Sequence, residues 1–397
     1  MKSSELETMR KSFNTVKSRS SSIKDSPSIK RLTSRVQEIK KYSFENREEL
    51  FSQVLESFKR NDIECRFAQT SEDALDIIDE LIDEYGAEVI AKAKSNTLGE
   101  IDLKNHLDID VVETDLGDRI LQLKKVDNKP VHPTGPASHL NIAEITGIVN
   151  GSLEVNVDPE PKEIMKAVRS DVLKRLENAR VGISGANAIA SEEGSIVMVH
   201  NEGNISIVSL KDLHIIVAGI DKIVPTLEDA ISVVKLETVF ATGNYVTSYM
   251  NVVSGPSKTA DIEKKLIKNM YGAERVVVIL LDNGRSQATE ECLYCIGCGN
   301  CIVHCPVYNA VGNEFGFNNY LGGRGVAMSK FIEDDETCFN SGLYMCTLCG
   351  LCTLNCPLSI PTNEIIEKMR KYSVDVGFYP KAHGIIKDNV SKKDSPY

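Results

Sequence analysis

Two stretches decide how this chain is read. They are Cys295-Ile-Gly-Cys298-Gly-Asn-Cys301-Ile-Val-His-Cys305-Pro306 and Cys346-Thr-Leu-Cys349-Gly-Leu-Cys352-Thr-Leu-Asn-Cys356-Pro357. Both follow the pattern Cys-x2-Cys-x2-Cys-x3-Cys-Pro, so together they form an internal repeat. The chain has 397 residues and 11 cysteines, and all but Cys65 fall between Cys292 and Cys356. Disulfides between neighbours this close would span only very short loops and explain nothing about the clustering. Metal coordination does explain it.

The spacing resembles that of bacterial two-cluster ferredoxins, in which the fourth Cys of each run ligates the other cluster. A Cys at every third position of a tight loop turns three thiolates onto three corners of one [4Fe–4S] cube. Gly297, Gly299 and Gly350 let the backbone come close and offer N–H groups to sulfur. The fourth Cys follows three residues later, where the chain is leaving the loop. Cluster 1 is therefore expected on Cys295, Cys298, Cys301 and Cys356, and cluster 2 on Cys305, Cys346, Cys349 and Cys352. Zinc is the competing reading, but zinc sites pair their cysteines across a dozen or more residues. Cys292 would permit a shifted register only by giving up the x3-Cys-Pro ending. Cys65 and Cys338 read as small buried residues, and His304 needs no role beyond its place beside Cys305. Gly322, Gly323 and Gly325 lie between the repeats without a preceding strand. They read as glycines packed on a cluster or a partner, not as a phosphate loop.

Upstream, strands alternate with helices. The apolar, β-branched run Glu274-Arg-Val-Val-Val-Ile-Leu-Leu281 is that of a strand buried on both faces of a mostly parallel sheet. Further strands are expected at 63–67, 88–93, 109–114, 119–123, 181–184, 195–199 and 214–218. Helices are expected at 48–60, from an N-cap at Ser71, at 161–176, and from Pro225 to about Lys235. This pattern predicts an α/β open-sheet domain over 45–285, then a small α-helical two-cluster domain over 286–373 and a polar tail over 374–397. Residues 1–41 carry 11 Lys and Arg against 4 Asp and Glu and are rich in Ser, so 1–44 read as a basic, flexible arm.

The densest polar stretch of the α/β domain runs Val181-Gly-Ile-Ser-Gly-Ala-Asn187, then Glu192-Glu-Gly194, then His200-Asn201-Glu202-Gly203-Asn204. A strand, a Gly-rich turn and a second strand ending in Asn-Glu-Gly-Asn gather polar groups near strand ends, where open α/β sheets bind ligands. A hairpin with polar turns is the plainer alternative. These motifs, with Val112-Glu-Thr-Asp-Leu-Gly117, His132-x2-Gly-Pro-Ala-x-His139, Pro225-Thr-Leu-Glu-Asp-Ala230 and Leu281-Asp-Asn-Gly-Arg285, stand directly before the two cysteine runs. In that order they closely resemble the lactate-utilization iron–sulfur proteins, which join a LUD domain to a two-cluster region. The resemblance covers residues 45–372. It implies a LUD fold like that of CoA-transferases and sugar-phosphate isomerases, and a role as one subunit of a three-part complex oxidising L-lactate to pyruvate. The expected partners are a Cys-Cys-Gly-repeat protein and a second LUD protein. Gly255-Pro-Ser-Lys-Thr-Ala-Asp-Ile-Glu263 is closer to the cluster-free sister subunit of that system.

Net charge is −11, which argues against a general nucleic-acid binder. No run of 18 apolar residues exists and the N-terminus has no apolar signal region, so neither a membrane span nor a secretory signal is expected. Thiolates awaiting metal need reducing surroundings, so a cytoplasmic setting is expected. No Gly-x-Gly-x-x-Gly follows a strand, so no flavin or nicotinamide site is evident and the chain reads as a redox subunit rather than a complete enzyme. A bound substrate would need cations or amides for its carboxylate and a base for its hydroxyl. Lys94, Asn187, Asn201, Glu202 and Asn204 are the binding candidates, with Glu192 and His132 as catalytic ones. Two other readings stand beside the lactate one. One is an electron carrier of a heterodisulfide-reductase-like complex with the LUD domain as scaffold, and the other is a redox-sensing binding module.

Overall fold

The computed structural model describes residues 1–126 and 128–396. Its centre is a six-stranded parallel sheet ordered β1 (Glu64–Ala68), β12 (Arg275–Leu281), β7 (Leu213–Gly219), β4 (Val181–Ser184), β2 (Val89–Lys92), β3 (Asp110–Glu113). In β12 every residue from Val276 to Leu281 is buried, as its β-branched run requires. Val278 pairs with Ile216 on one side and Cys65 on the other. Helices cover both faces. One face packs α4 (Ser71–Tyr85), α5 (Asn96–Glu100) and α6 (Leu103–His106) through Ala74, Ile78, Leu81, Leu98 and Leu103. The other packs α3 (Arg47–Arg60) and α9 (Pro161–Arg175) through Leu50, Val54, Phe58, Ile164 and Val168. Thr70, not Ser71, caps α4, its side chain accepting the Asp73 N–H.

A second sheet, β8 (Ile223–Val224), β5 (Ala188–Ala190), β6 (Ser195–His200), β9 (Tyr249–Val253), carries the polar stretch of the sequence. Helix α10 (Asn204–Ser209) follows β6, and β10 (Lys258–Thr259) and β11 (Ile267–Lys268) form a short ribbon. Helix α11 spans Leu227–Thr242, capped by Thr226 and well beyond the expected Lys235. It is apolar nearly all round, which marks a helix enclosed on every side.

The cysteine region is helical: α12 (Glu290–Leu293), α13 (Asn300–His304), α14 (Pro306–Val311), α15 (Gly322–Ile332), α16 (Asp335–Asn340), α17 (Leu351–Leu354) and α18 (Thr362–Asp375), with a two-residue ribbon β13 (Gly316–Phe317) and β14 (Tyr320–Leu321). Helix α19 (Lys381–Lys393) forms the exposed polar end. Among the described residues no helix is long and apolar enough to cross a membrane.

Two expectations are overturned. The N-terminal segment is not a flexible arm: it forms α1 (Ser3–Ile23) and α2 (Pro27–Glu45). Met9, Phe13, Ile29, Val36 and Ile39 are buried in one core with α11, Cys292, Ile302, Tyr308 and Phe315. Most of its basic and Ser residues lie on the outer faces of amphipathic helices, while Ser20, Lys40 and Ser43 are buried. Residues 119–123 are not a strand either. They lie in α7 (Leu116–Lys124), started by Asp115, whose carboxylate accepts the Gly117 and Asp118 N–H groups. The same kind of cap, Asn141, starts α8 (Ile142–Leu153). A short apolar run fits either element, and here the cap decides.

The cysteine region thus shares its core with the chain's first helices. Replacing Phe13, 1% exposed, by Ala is expected to cost about 3–5 kcal/mol. Denaturant unfolding checks this, since the same change in a solvated arm leaves stability untouched.

Candidate functional site

The carboxyl ends of β2 and β4 and the end of β6 open onto a cavity of about 470 Å³. Its far wall is the first cysteine loop, through Cys295, Ile296 and Gly297. All five expected binding residues line it: Lys94, Asn187, Asn201, Glu202 and Asn204. Lys94 Nζ lies 2.7 Å from Asp115 Oδ2 and donates to the Thr134 carbonyl. Glu202 accepts the Leu116 N–H at 3.0 Å, and burial with nearby Asp115 raises its carboxyl. Asn201 Oδ1 accepts from Ser248 N and Thr247 Oγ1, which ties β6 to the segment before β9.

The two catalytic candidates lie elsewhere. Glu192 is exposed on the turn between β5 and β6, where its carbonyl accepts from Ser57 and Arg60. That turn points away from the cavity, and Glu192 is not among its lining residues. His132 is 4% exposed and also outside the lining. Burial, then Lys94, pushes its imidazolium down to about 3, so the ring is neutral.

What the sequence reading missed is Glu237 on α11. It lines the cavity and accepts from Asn187 Nδ2 at 2.9 Å, while Asn187 Oδ1 takes the Val199 N–H and so fixes the amide's orientation. Burial raises the Glu237 carboxyl to about 7. A lone Glu in the apolar run of α11 was the available signal. Arg324 and Lys222 also line the cavity. Arg324 Nη2 donates to the Cys292 carbonyl at 3.0 Å, while its Nε is buried and unpartnered.

The cysteine loops repeat in space as in sequence. Gly297 (φ +78°) and Leu348 (φ +56°) hold the same left-handed position, and the N–H of each donates to the sulfur two residues back, Cys295 or Cys346, at 3.4 Å. The Tyr308 N–H donates likewise to Cys305. Burial and then the neighbouring thiolates Cys356, Cys295 and Cys301 raise the Cys298 thiol, so the last Cys of the second run stands with three of the first. Burial raises Cys305, and its thiolate neighbours are Cys352 and Cys346. Cys301, Cys305, Cys346, Cys349 and Cys352 line one void together with Gly322 and Gly323 of α15. Among the described residues no three His, Cys, Asp or Glu side chains converge as a single-ion site requires. Soft thiolates set around a space, with N–H groups turned to sulfur, fit an iron–sulfur cube better than one zinc ion. The loops differ in access: Cys298 is buried and Cys349 exposed.

An α/β domain whose strand ends face a cysteine-rich helical region is the architecture of an iron–sulfur LUD-domain protein. Residues 51–281 match the LUD domain and residues 291–360 the 4Fe-4S dicluster domain. The chain belongs to the family of lactate utilization protein B. That protein from Geobacillus thermodenitrificans (strain NG80-2) is 34% identical over 347 residues, covering 85% of this chain and 71% of the relative. The one from Bacillus velezensis (strain DSM 23117 / BGSC 10A6 / LMG 26770 / FZB42) is 32% identical over 350 residues, covering 86% and 71%. A crystal structure of a duf162 family protein from Deinococcus radiodurans aligns with TM-score 0.33 and 15% identity over 59% of this chain and 98% of that one.

Glu237 gives a pH test. Its carboxyl sits at about 7 in the fold against an ordinary value of 4.5. Between those values the folded chain holds more protons than the unfolded one, so stability falls as pH rises through that window. Glu237→Gln keeps the bond to Asn187 and removes the titration. Its thermal midpoint is expected to gain on the wild type at pH 8 and much less at pH 5. An equal gain at both contradicts the shift.

Proposed function

We propose that this chain is the iron–sulfur electron-transfer subunit of a complex that oxidises L-lactate, or a related 2-hydroxy acid, to pyruvate. Two [4Fe–4S] clusters are held by the crossed sets Cys295, Cys298, Cys301, Cys356 and Cys305, Cys346, Cys349, Cys352. One observation carries the reading: the cavity at the strand ends is walled by the first cysteine loop. The relatives' name, lactate utilization protein B, supplies the substrate class.

Oxidation of a 2-hydroxy acid releases two electrons and two protons. The clusters, when bound, accept electrons singly. The chain's own residues handle the acid. Arg324 and Lys222 in the cavity wall supply positive charge for the carboxylate. Glu237 is suited to accept the hydroxyl proton, since a general base works best with its pKa near the ambient pH. The Cα hydrogen leaves with the electron pair of its bond, as hydride, to a two-electron acceptor on a partner subunit, from which electrons would pass singly to the clusters. Asn187 positions that carboxylate. Lys94 is already matched by Asp115, so it serves the wall more than the substrate. Cys349 is exposed and Leu354 stands 79% exposed, so a cluster held by the second loop would lie nearest to a partner that receives electrons. The partners in this reading are a Cys-Cys-Gly-repeat subunit and a second LUD protein in the cytoplasm.

Anaerobic purification is expected to give about eight irons per chain. In the purified complex, L-lactate is expected to bleach the cluster absorbance. Cys356→Ser is expected to remove the EPR signal of the buried cluster and Cys305→Ser that of the exposed one. A single four-iron centre, or spectra indifferent to lactate, would refute the assignment.

A further inference from the structure

The first cysteine loop is approached from outside the cavity by His132, on the segment joining α7 to α8. Its Nδ1 accepts the Thr134 backbone N–H at 3.2 Å, with Thr134 Oγ1 at 3.0 Å. A ring nitrogen that accepts an amide hydrogen carries no proton of its own, so the proton of this neutral ring is on Nε2. That Nε2–H is buried and has no acceptor in the protein. It lies against Gly299, where an added Cβ would sit 2.6 Å from Nε2. Gly299 is the left-handed residue (φ +73°) of the turn from Cys298 to Cys301.

A buried N–H without an acceptor is costly, so a fold does not keep one by neglect. This one is held from several directions. The Phe13 ring meets the imidazole edge-on at 5.6 Å and stacks on Tyr308 at 6.2 Å. Tyr308 Oη donates to the Val131 carbonyl at 2.8 Å, which fixes the main chain one residue before His132. Helix α1 therefore clamps the ring with its donor toward the loop.

We propose that His132 Nε2–H is a hydrogen-bond donor to sulfur of the first cluster, and that it raises the reduction potential of that cluster alone. The inference rests on the two-cluster reading above. A donor to sulfur offsets the negative charge gained on reduction, which is how outer hydrogen bonds tune such centres. At the second loop Cys349 is open to solvent, and water takes that part. His132 is thus a positioning residue that tunes the centre and neither binds substrate nor transfers its proton.

The test uses the full chain, loaded with iron under anaerobic conditions. Two reduction steps in the wild type test the two-cluster reading first, independently of any variant. His132→Phe and His132→Leu remove the donor, and His132→Gln keeps an N–H near the position of Nε2. Redox titration followed by EPR is expected to show one step moved to lower potential in H132F and H132L, the other step unmoved, and H132Q nearer the wild type. Wild-type protein carrying 15N-histidine is expected to show a nitrogen coupling in the pulsed EPR of one reduced centre. Both steps unmoved, both moved equally, or H132Q displaced as far as H132F would overturn the proposal. So would the absence of the 15N coupling, because the donor then serves another acceptor, such as the unpartnered Asn300 Oδ1.

Discussion

Arg285 has almost no access to water, its side chain 3% exposed, and it lies between two carboxylates that are equally enclosed. Its Nη1 and Nη2 donate to Glu100 at 2.8 and 2.7 Å and its Nε to Asp221 at 2.7 Å. Tyr320 completes the group, receiving from Nη2 at 3.0 Å and donating to Glu100 at 2.5 Å. Glu100 comes from α5, Asp221 from the end of β7, Arg285 from just beyond β12 and Tyr320 from the cysteine region. Breaking a buried pair of this kind from one side costs about 3–5 kcal/mol, because the charge left behind is unmatched. The network therefore fixes where the cysteine region sits on the strand ends. Asp221 and Tyr320 line the cavity as well, so the same bolt shapes the space in which a ligand would bind.

From that bolt the molecule grades outward. A polar cavity comes first, then the first cysteine loop with Cys298 buried, then the second with Cys349 exposed. Burial pushes the Asp221 carboxyl up, but Lys222, Arg285, Lys40 and Arg324 outweigh it and hold the group ionised. Of these cations, Lys40 and Arg324 also interact with Cys295. The cavity wall and the first loop therefore share part of their electrostatic environment.

The cysteine runs and the run Val276–Leu281 were plain in the sequence because each is a dense local pattern with one physical explanation. Lys94, Asn187, Asn201, Glu202 and Asn204 were legible because polar groups at the carboxyl ends of parallel strands converge. Glu237 was hidden in a helix whose other residues are core, and only tertiary packing turns that side chain to the cavity. Glu192 shares a sequence motif with Asn187, but the β5–β6 turn carries it to the opposite end of the hairpin from the cavity. The first two helices were obscured by composition: Met9 and Phe13, or Ile29 and Val36, are few among Ser and Lys, though their spacing keeps them on one face. What those faces cover lies far along the chain, and no local pattern reports it.

That separation has a consequence for biosynthesis. The amino group of Met1 meets Glu314 across 313 positions, and Phe13 rests on Tyr308. The opening helices are made before either part of their seat, first α11 and then the cysteine region, so their apolar stripe stays uncovered until those segments follow. Closure of so distant a contact is slow. The core beneath the cysteine loops is therefore completed by the two parts of the chain that lie farthest apart in sequence.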